Sequence, residues 1–345
     1  MLKPSCTYRY LSTNYTSPIF VTFTSSILSG MKRLLVAGLV IFCIALIAVY
    51  VSIPKELEIS SIAVIKANER SVYRSLVDKN NWKNWWPLQP IDSRQKETNE
   101  FYLDGYSYKI GAKLPDGMEV IINHQDSSNS SLLRLLRLSP DSMLIKWTAT
   151  VPTTYNPVTR VKQYFAAKRI KRGMEQIVAH LKPFAETTKN MYGIDVKQTR
   201  VTDTILMVRK IVPKERPTTT DIYSYIESLR SYIAGSGATE TNHPMLHLHY
   251  TEETRSYEAM VAIPVSKKLA GTASISPKRM VAGHILYADV KGGEATVAEA
   301  MRQMENYASD HEKISPALPY QLLVTDRVKE TDTANWVTRI YYPIL

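Results

Sequence analysis

Residues 221–233 read DIYSYIESLRSYI and residues 296–308 read TVAEAMRQMENYA, and one apolar pattern is written in both. Ile222, Ile226, Leu229 and Ile233 fall at i, i+4, i+7 and i+11, the stripe of a helix with one buried face. Val297, Met301, Met304 and Ala308 repeat that spacing 75 residues later, 222 becoming 297. Each predicted helix has one strand before it and two after it. The first copy supplies residues 204–212 (TILMVRKIV), 245–250 and 257–264, and the second supplies 281–290, 320–325 and 337–342. The copies also end alike, on Val261-Ala262-Ile263-Pro264-Val265 and on Ile340-Tyr341-Tyr342-Pro343-Ile344. A strand-helix-strand-strand unit leaves one sheet face to cover. Two units in tandem therefore predict paired sheets with a groove at their pseudo-twofold axis, a natural site for a small molecule.

Working outward, Lys189 to Gly193 reads as the linker to a preceding domain at 55–188. That domain opens with a strand in which Leu57, Ile59, Ser61, Ala63 and Ile65 alternate with Glu58, Ser60, Ile62, Val64 and Lys66. Asn68 caps a short helix over 69–77. Strand-like runs follow at 100–103, 107–112, 118–123, 132–138 and 143–150, separated by turn signals at Asp104-Gly105, Pro115-Asp116-Gly117 and Pro140-Asp141. A long helix over 160–184 closes it, with Phe165, Ile170, Met174, Ile177, Leu181 and Phe184 as its apolar stripe. The fold class expected is α+β: an antiparallel sheet gripping a helix, then the duplicated domain at 195–345.

From Leu34 to Ile53 runs LLVAGLVIFCIALIAVYVSI, without a charge. At 1.5 Å per residue such a helix is about 30 Å long, the thickness of the hydrocarbon layer. No small-x-small cleavage site follows, so residues 31–54 are expected as an uncleaved, single-pass anchor rather than a signal peptide. Lys3, Arg9, Lys32 and Arg33 precede it with no acidic residue, whereas Lys55 is mixed with Glu56 and Glu58. The positive-inside tendency then sets the N-terminus in the cytoplasm and the remainder on the extracytoplasmic, periplasmic side of a bacterial membrane. Residues 1–30, rich in Ser, Thr and Tyr, are expected as a disordered tail or a misassigned start, with Met31 as the initiator.

The chain carries 43 basic and 32 acidic residues, a formal net charge of +11. Such an excess attracts anionic surfaces of any kind and selects none, so no specific nucleic-acid partner is implied. Its two cysteines, Cys6 and Cys43, both lie before Pro54. Residues 55–345 therefore have no disulfide, thiolate metal site or cysteine nucleophile. No nucleophile elbow, phosphate loop or dinucleotide fingerprint occurs. His243, His247 and His249 are the best metal candidate, and an i, i+2 pair without a third ligand does not specify one. No metal, cofactor or catalytic residue is expected.

Two resemblances add to these readings. Residues 55–188 resemble the START-like polyketide cyclase/dehydrase (SRPBCC) superfamily through the strand–helix opening, the Trp82-Lys83-Asn84-Trp85-Trp86-Pro87 region and the Asn156-Pro157 entry to the last helix. The resemblance implies a cavity between sheet and helix, which the three tryptophans either line or fill. Residues 196–345 resemble the GyrI-like small-molecule-binding domain, also the effector-binding half of AraC- and MerR-type regulators. The match rests on Met260-Val261-Ala262-Ile263-Pro264-Val265, the Gly292-Gly293 turn, and Trp336-Val337-Thr338-Arg339-Ile340-Tyr341-Tyr342-Pro343-Ile344. It implies a ligand groove with Arg339, Tyr341, Gln321, Leu323 and Trp336 around it. Members that bind organic cations carry a glutamate where this chain has Arg339, and Glu-x-Tyr where it has Gln321-Leu322-Leu323. A guanidinium in place of a carboxylate reverses the preferred charge. The function expected is binding or sensing of an anionic or apolar small molecule, with the lipid bilayer as the other partner. The alternative is a hydrolase or cyclase in one of the two pockets.

Overall fold

The computed structural model describes residues 19–87, 100–125, 127–201 and 205–345, with side chains from residue 34 onward. The chain is α+β and forms two compact units, residues 1–57 with 151–168, and 58–150 with 169–345.

In the first unit, helix α1 (Ile19–Ser52) contains the apolar run. Leu34–Ser52 has a mean hydropathy of 3.0 and is not covered by protein. The helix starts at Ile19, upstream of the expected Met31, so residues 19–30 of the anticipated tail are helical; residues 1–18 lie outside the described residues. Its C-terminal end is latched. The buried Arg160 donates from Nε to the Ile53 carbonyl at 2.9 Å and lies 5.0 Å from the Tyr50 ring centroid. A cation on the last carbonyls answers both the helix dipole and the unpaired acceptors there. Thr153 Oγ1 also donates to the carbonyls of Pro54 and Lys55, at 2.8 and 2.9 Å.

The second unit holds two antiparallel sheets. The first has the order β1-β6-β5-β4-β3-β2: β1 (Glu56–Ile65), β2 (Phe101–Leu103), β3 (Tyr106–Leu114), β4 (Gly117–His124), β5 (Ser127–Ser139) and β6 (Ser142–Pro152). Helix α2 (Glu69–Val77) follows β1, with Asn68 accepting from the Arg70 N–H at 2.9 Å, and α3 (Lys79–Trp82) follows it. Helix α4 (Pro157–Ala185) buries Ile170, Met174, Ile177, Val178 and Leu181. Phe165, expected on that stripe, is 56% exposed, because five residues separate it from Ile170 and turn it off the buried face. Rings occupy the inside of this sheet. Trp82 and Trp86 stack at 5.5 Å, Trp86 meets Tyr108 edge-on at 5.5 Å, and Tyr108 meets Trp147 at 6.2 Å. All four are buried, so these tryptophans pack the core. Gly173 of α4 admits the Tyr108 hydroxyl, which a Cβ there would strike.

The stretch 189–193 does not run free. Residues 189–192 belong to helix α5 (Thr188–Tyr192), whose Tyr192 is buried, and Gly193 caps it at φ 72°. The second sheet then has eight strands: β7 (Lys197–Val201), β8 (Ile205–Ile211), β9 (Met245–Thr251), β10 (Ser256–Pro264), β11 (Ser276–Arg279), β12 (Gly283–Lys291), β13 (Tyr320–Leu323) and β14 (Val337–Ile344). Their order, β11-β8-β10-β9-β13-β14-β12-β7, is a palindrome about the β9–β13 contact. Helix α6 (Thr219–Gly235) lies in the first half and α7 (Glu294–Asp310) in the second, each burying the stripe named above. Met301 is only partly buried in its stripe.

Two edge strands were not legible in the sequence, and they are exchanged. β7 precedes the first half yet pairs with β12 of the second, and β11 precedes the second half yet pairs with β8 of the first. Val201 and Ile205 are four residues apart, a reach of about 14 Å. Six flat strand spacings from β7 to β8 would be about 29 Å. The sheet therefore curls until its two edges approach. Its helix-free face holds a small core of its own: Leu206, Val208, Met245, Ala262 and Leu322.

Candidate functional site: the cleft at the pseudo-twofold axis

The two halves of the second sheet meet through two register pairs, Gln321↔Leu246 and Leu322↔Met245. At this junction opens a cleft of about 300 Å³, at the lower end of the range for ligand pockets. Ile222 of α6, Leu246 and Leu248 of β9, and Val297, Ala298 and Met301 of α7 give it apolar walls. Tyr257 and Tyr320 add aromatic faces, and His247, His249, Gln321, Arg216, Glu294, Arg302, Glu305 and Arg327 the polar groups.

Most of those charges are already matched. Arg216 Nη2 lies 3.1 Å from Glu294 Oε2, and Thr219 Oγ1 donates to Glu294 Oε1 at 3.3 Å. Arg302 pairs with Glu299, whose carboxyl is held down at about 2 by hydrogen bonds from Arg302 and Gln303. His247 Nδ1 is 2.6 Å from the Pro319 carbonyl. A carbonyl only accepts, so Nδ1 carries the proton and Nε2 is the free acceptor when the ring is neutral. His247 and His249 lie 6.4 Å apart between ring centroids. Among the described residues no group of three or more His, Cys, Asp or Glu gathers as a metal site.

Arg327 differs from its neighbours. It is 6% exposed, its Nη2 donates to Thr338 Oγ1 at 2.8 Å, and its guanidinium lies 4.8 Å from the Trp336 ring centroid. Its backbone N–H donates to the Tyr223 hydroxyl at 2.8 Å, which fixes the loop after β13. Burial lowers its pKa from the usual arginine value. Among the described residues no carboxylate lies within ion-pair distance of it.

The residues expected around the groove separate into four groups. Gln321 lines the cleft. Tyr341 stacks on Tyr320 at 4.9 Å, behind the lining, and Trp336 faces Arg327 while its Nε1 donates to the Glu330 carbonyl at 2.8 Å. Leu323 is buried in the core under α6. Arg339 is outside the lining. It forms a fork with Asp289 at 2.7 and 3.1 Å and lies 5.0 Å from the Tyr287 ring centroid. Strand alternation does put Val337, Arg339 and Tyr341 on one face, but the β14 core against α7 is built from the other face, with Ile340 and Ile344. Asp289 stands directly opposite Arg339 on β12 and takes its charge. Sequence reading missed Arg327 because it lies in a loop, where no periodicity marks which way a side chain turns.

No protein-family model matches the chain, and no curated protein matches it. Solved structures do. The EcmrR C-terminal domain aligns at 13% identity and a TM-score of 0.39, over 44% of this chain and 98% of that one. SAV2435 bound to tetraphenylphosphonium aligns at 12% identity and 0.31, over 44% and 94%. A hydrolase from Listeria innocua aligns at 9% identity and 0.33, over 43% and 92%.

Proposed function

We propose that this chain is a membrane-anchored small-molecule-binding protein of the GyrI-like kind, whose ligand enters the cleft between the halves of the second sheet. The observation that carries this reading is the cleft itself: a hollow of about 300 Å³, lined about equally by apolar and polar groups, at the symmetry axis of a duplicated domain. Helix α1 serves as the anchor, and its basic N-terminal flank puts residues 55–345 outside the cytoplasm. The Arg160 latch supports an uncleaved helix, since Tyr50 and Ile53 are part of the packing there. The START-like domain is a rigid spacer filled by its own tryptophans.

Native mass spectrometry of the detergent-purified full chain tests the reading. A retained small molecule is expected on the wild-type protein. It should be missing from Ala298→Trp, which sets an indole in the cleft from an exposed position of α7. Equal retention by the variant would move the ligand elsewhere and end the assignment.

A further inference from the structure

The geometry points to an organic anion as the occupant of the cleft, with Arg327 as the residue that holds its charge; this rests on the cleft being a small-molecule site, as proposed above. A guanidinium presents five donors in a planar fork. Arg327 directs Nη2 to the Thr338 hydroxyl and lies against the Trp336 ring, and both partners are neutral. A buried cation without a counter-charge is costly, and proteins retain one where a partner completes it. The other charges of the lining leave that role open. Glu294 acts on Arg327 only through space, because its oxygens are taken by Arg216 and Thr219, and Glu305 is exposed on α7. Of the three arginines in the lining, Arg216 pairs with Glu294 and Arg302 with Glu299, so Arg327 is the one without an ion pair. The same lining is aliphatic at Ile222, Leu246, Leu248, Val297, Ala298 and Met301. A compact apolar body bearing one carboxylate matches both features, and a cationic ligand would meet a buried like charge that no ion pair neutralises. The trait expected of Arg339, a preference for anions, thus passes to a different arginine, one that is buried and unpaired rather than exposed and spent.

Isothermal titration of the full chain in nanodiscs, with empty nanodiscs subtracted, tests this with 1-naphthoate and its neutral near-isostere 1-naphthamide. The wild-type protein should bind naphthoate at least about tenfold more tightly, the increment of a bidentate charge-assisted contact. Arg327→Gln should bring the two affinities together by weakening naphthoate alone. Arg327→Lys, which keeps the charge and loses the fork, should fall between them and covers the case in which the glutamine variant does not fold. Ala298→Trp should abolish binding of both. Equal affinities in the wild-type protein, with both blocked by Ala298→Trp, would overturn the anion inference and leave the cleft standing. Absence of binding, or binding that ignores Ala298→Trp, would overturn the cleft reading itself.

Discussion

Arg339 and Arg327 show how little residue type says without its surroundings. Arg339 sits across β12–β14 from Asp289 with 37% of its side chain exposed, and the pair is open to solvent and salt. Exposed pairs of this kind contribute about 0.2–1 kcal/mol. Arg339→Ala should therefore lower the unfolding free energy by less than about 1 kcal/mol in a urea titration and leave naphthoate affinity unchanged. A loss of affinity equal to that of Arg327→Gln would return Arg339 to the site. Arg327, twelve residues earlier in the chain, has its environment fixed by Tyr223 of α6 and by Trp336 and Thr338 at the start of β14, two segments more than a hundred residues apart. The sequence showed that β14 alternates. It did not show which of its faces the cleft adjoins, because that depends on how the halves join at β9 and β13.

Helix α7 links the cleft to the rest of its unit. Val297, Ala298 and Met301 line the cleft, and the same helix ends at Asp310, which is 4% exposed. Arg74 of α2 forks onto the Asp310 carboxylate, with Nη1 to Oδ1 at 3.1 Å, and the Tyr192 hydroxyl donates to Oδ2 at 2.9 Å. Asn68, the cap of α2, donates from Nδ2 to the Asp310 carbonyl at 2.6 Å and to the Pro140 carbonyl at 2.8 Å. One acidic residue thus ties the end of α7 to the first sheet's domain. Asp310→Ala would leave Arg74 and Tyr192 without their acceptor. A cost of about 1–3 kcal/mol is expected, kept low because Arg74 is half exposed and can rehydrate. The variant should also melt in two steps by calorimetry where the wild-type unit melts in one. A single unshifted transition would show that Asp310 does not couple the two sheets. The capping of α2 at Asn68 was legible from the sequence, but that cap's second role was not, since its partners lie 72 and 242 residues away.

At the scale of the whole sheet, the exchanged strands decide what can fold alone. β7 (KQTRV) and β11 (SPKR) are short, polar and largely exposed, as edge strands tend to be. Each precedes one half in sequence and completes the other. Residues 195–270 would keep β7 without β12 and β8 without β11. Residues 271–345 would have β11 and β12 in the converse position. Neither fragment should give a cooperative thermal transition by circular dichroism, and the two co-expressed should recover one. Cooperative melting of residues 195–270 alone would mean that the exchange is dispensable.

The apolar helix, the two stripes at 222–233 and 297–308, the strands beside them and the α+β class are all legible in the residues. Each of these rests on a local period, and a period of two or of 3.6 is written in consecutive residues. Tertiary structure alone decided the palindromic strand order, the edge exchange, the filled interior of the first sheet, and which arginine keeps an unspent charge. Those follow from contacts between residues distant in the chain. Sheet curl brought β7 beside β12, tryptophans closed the space under α4, and Asp289 neutralised Arg339 while Arg327 met a hydroxyl and a ring in place of an ion pair.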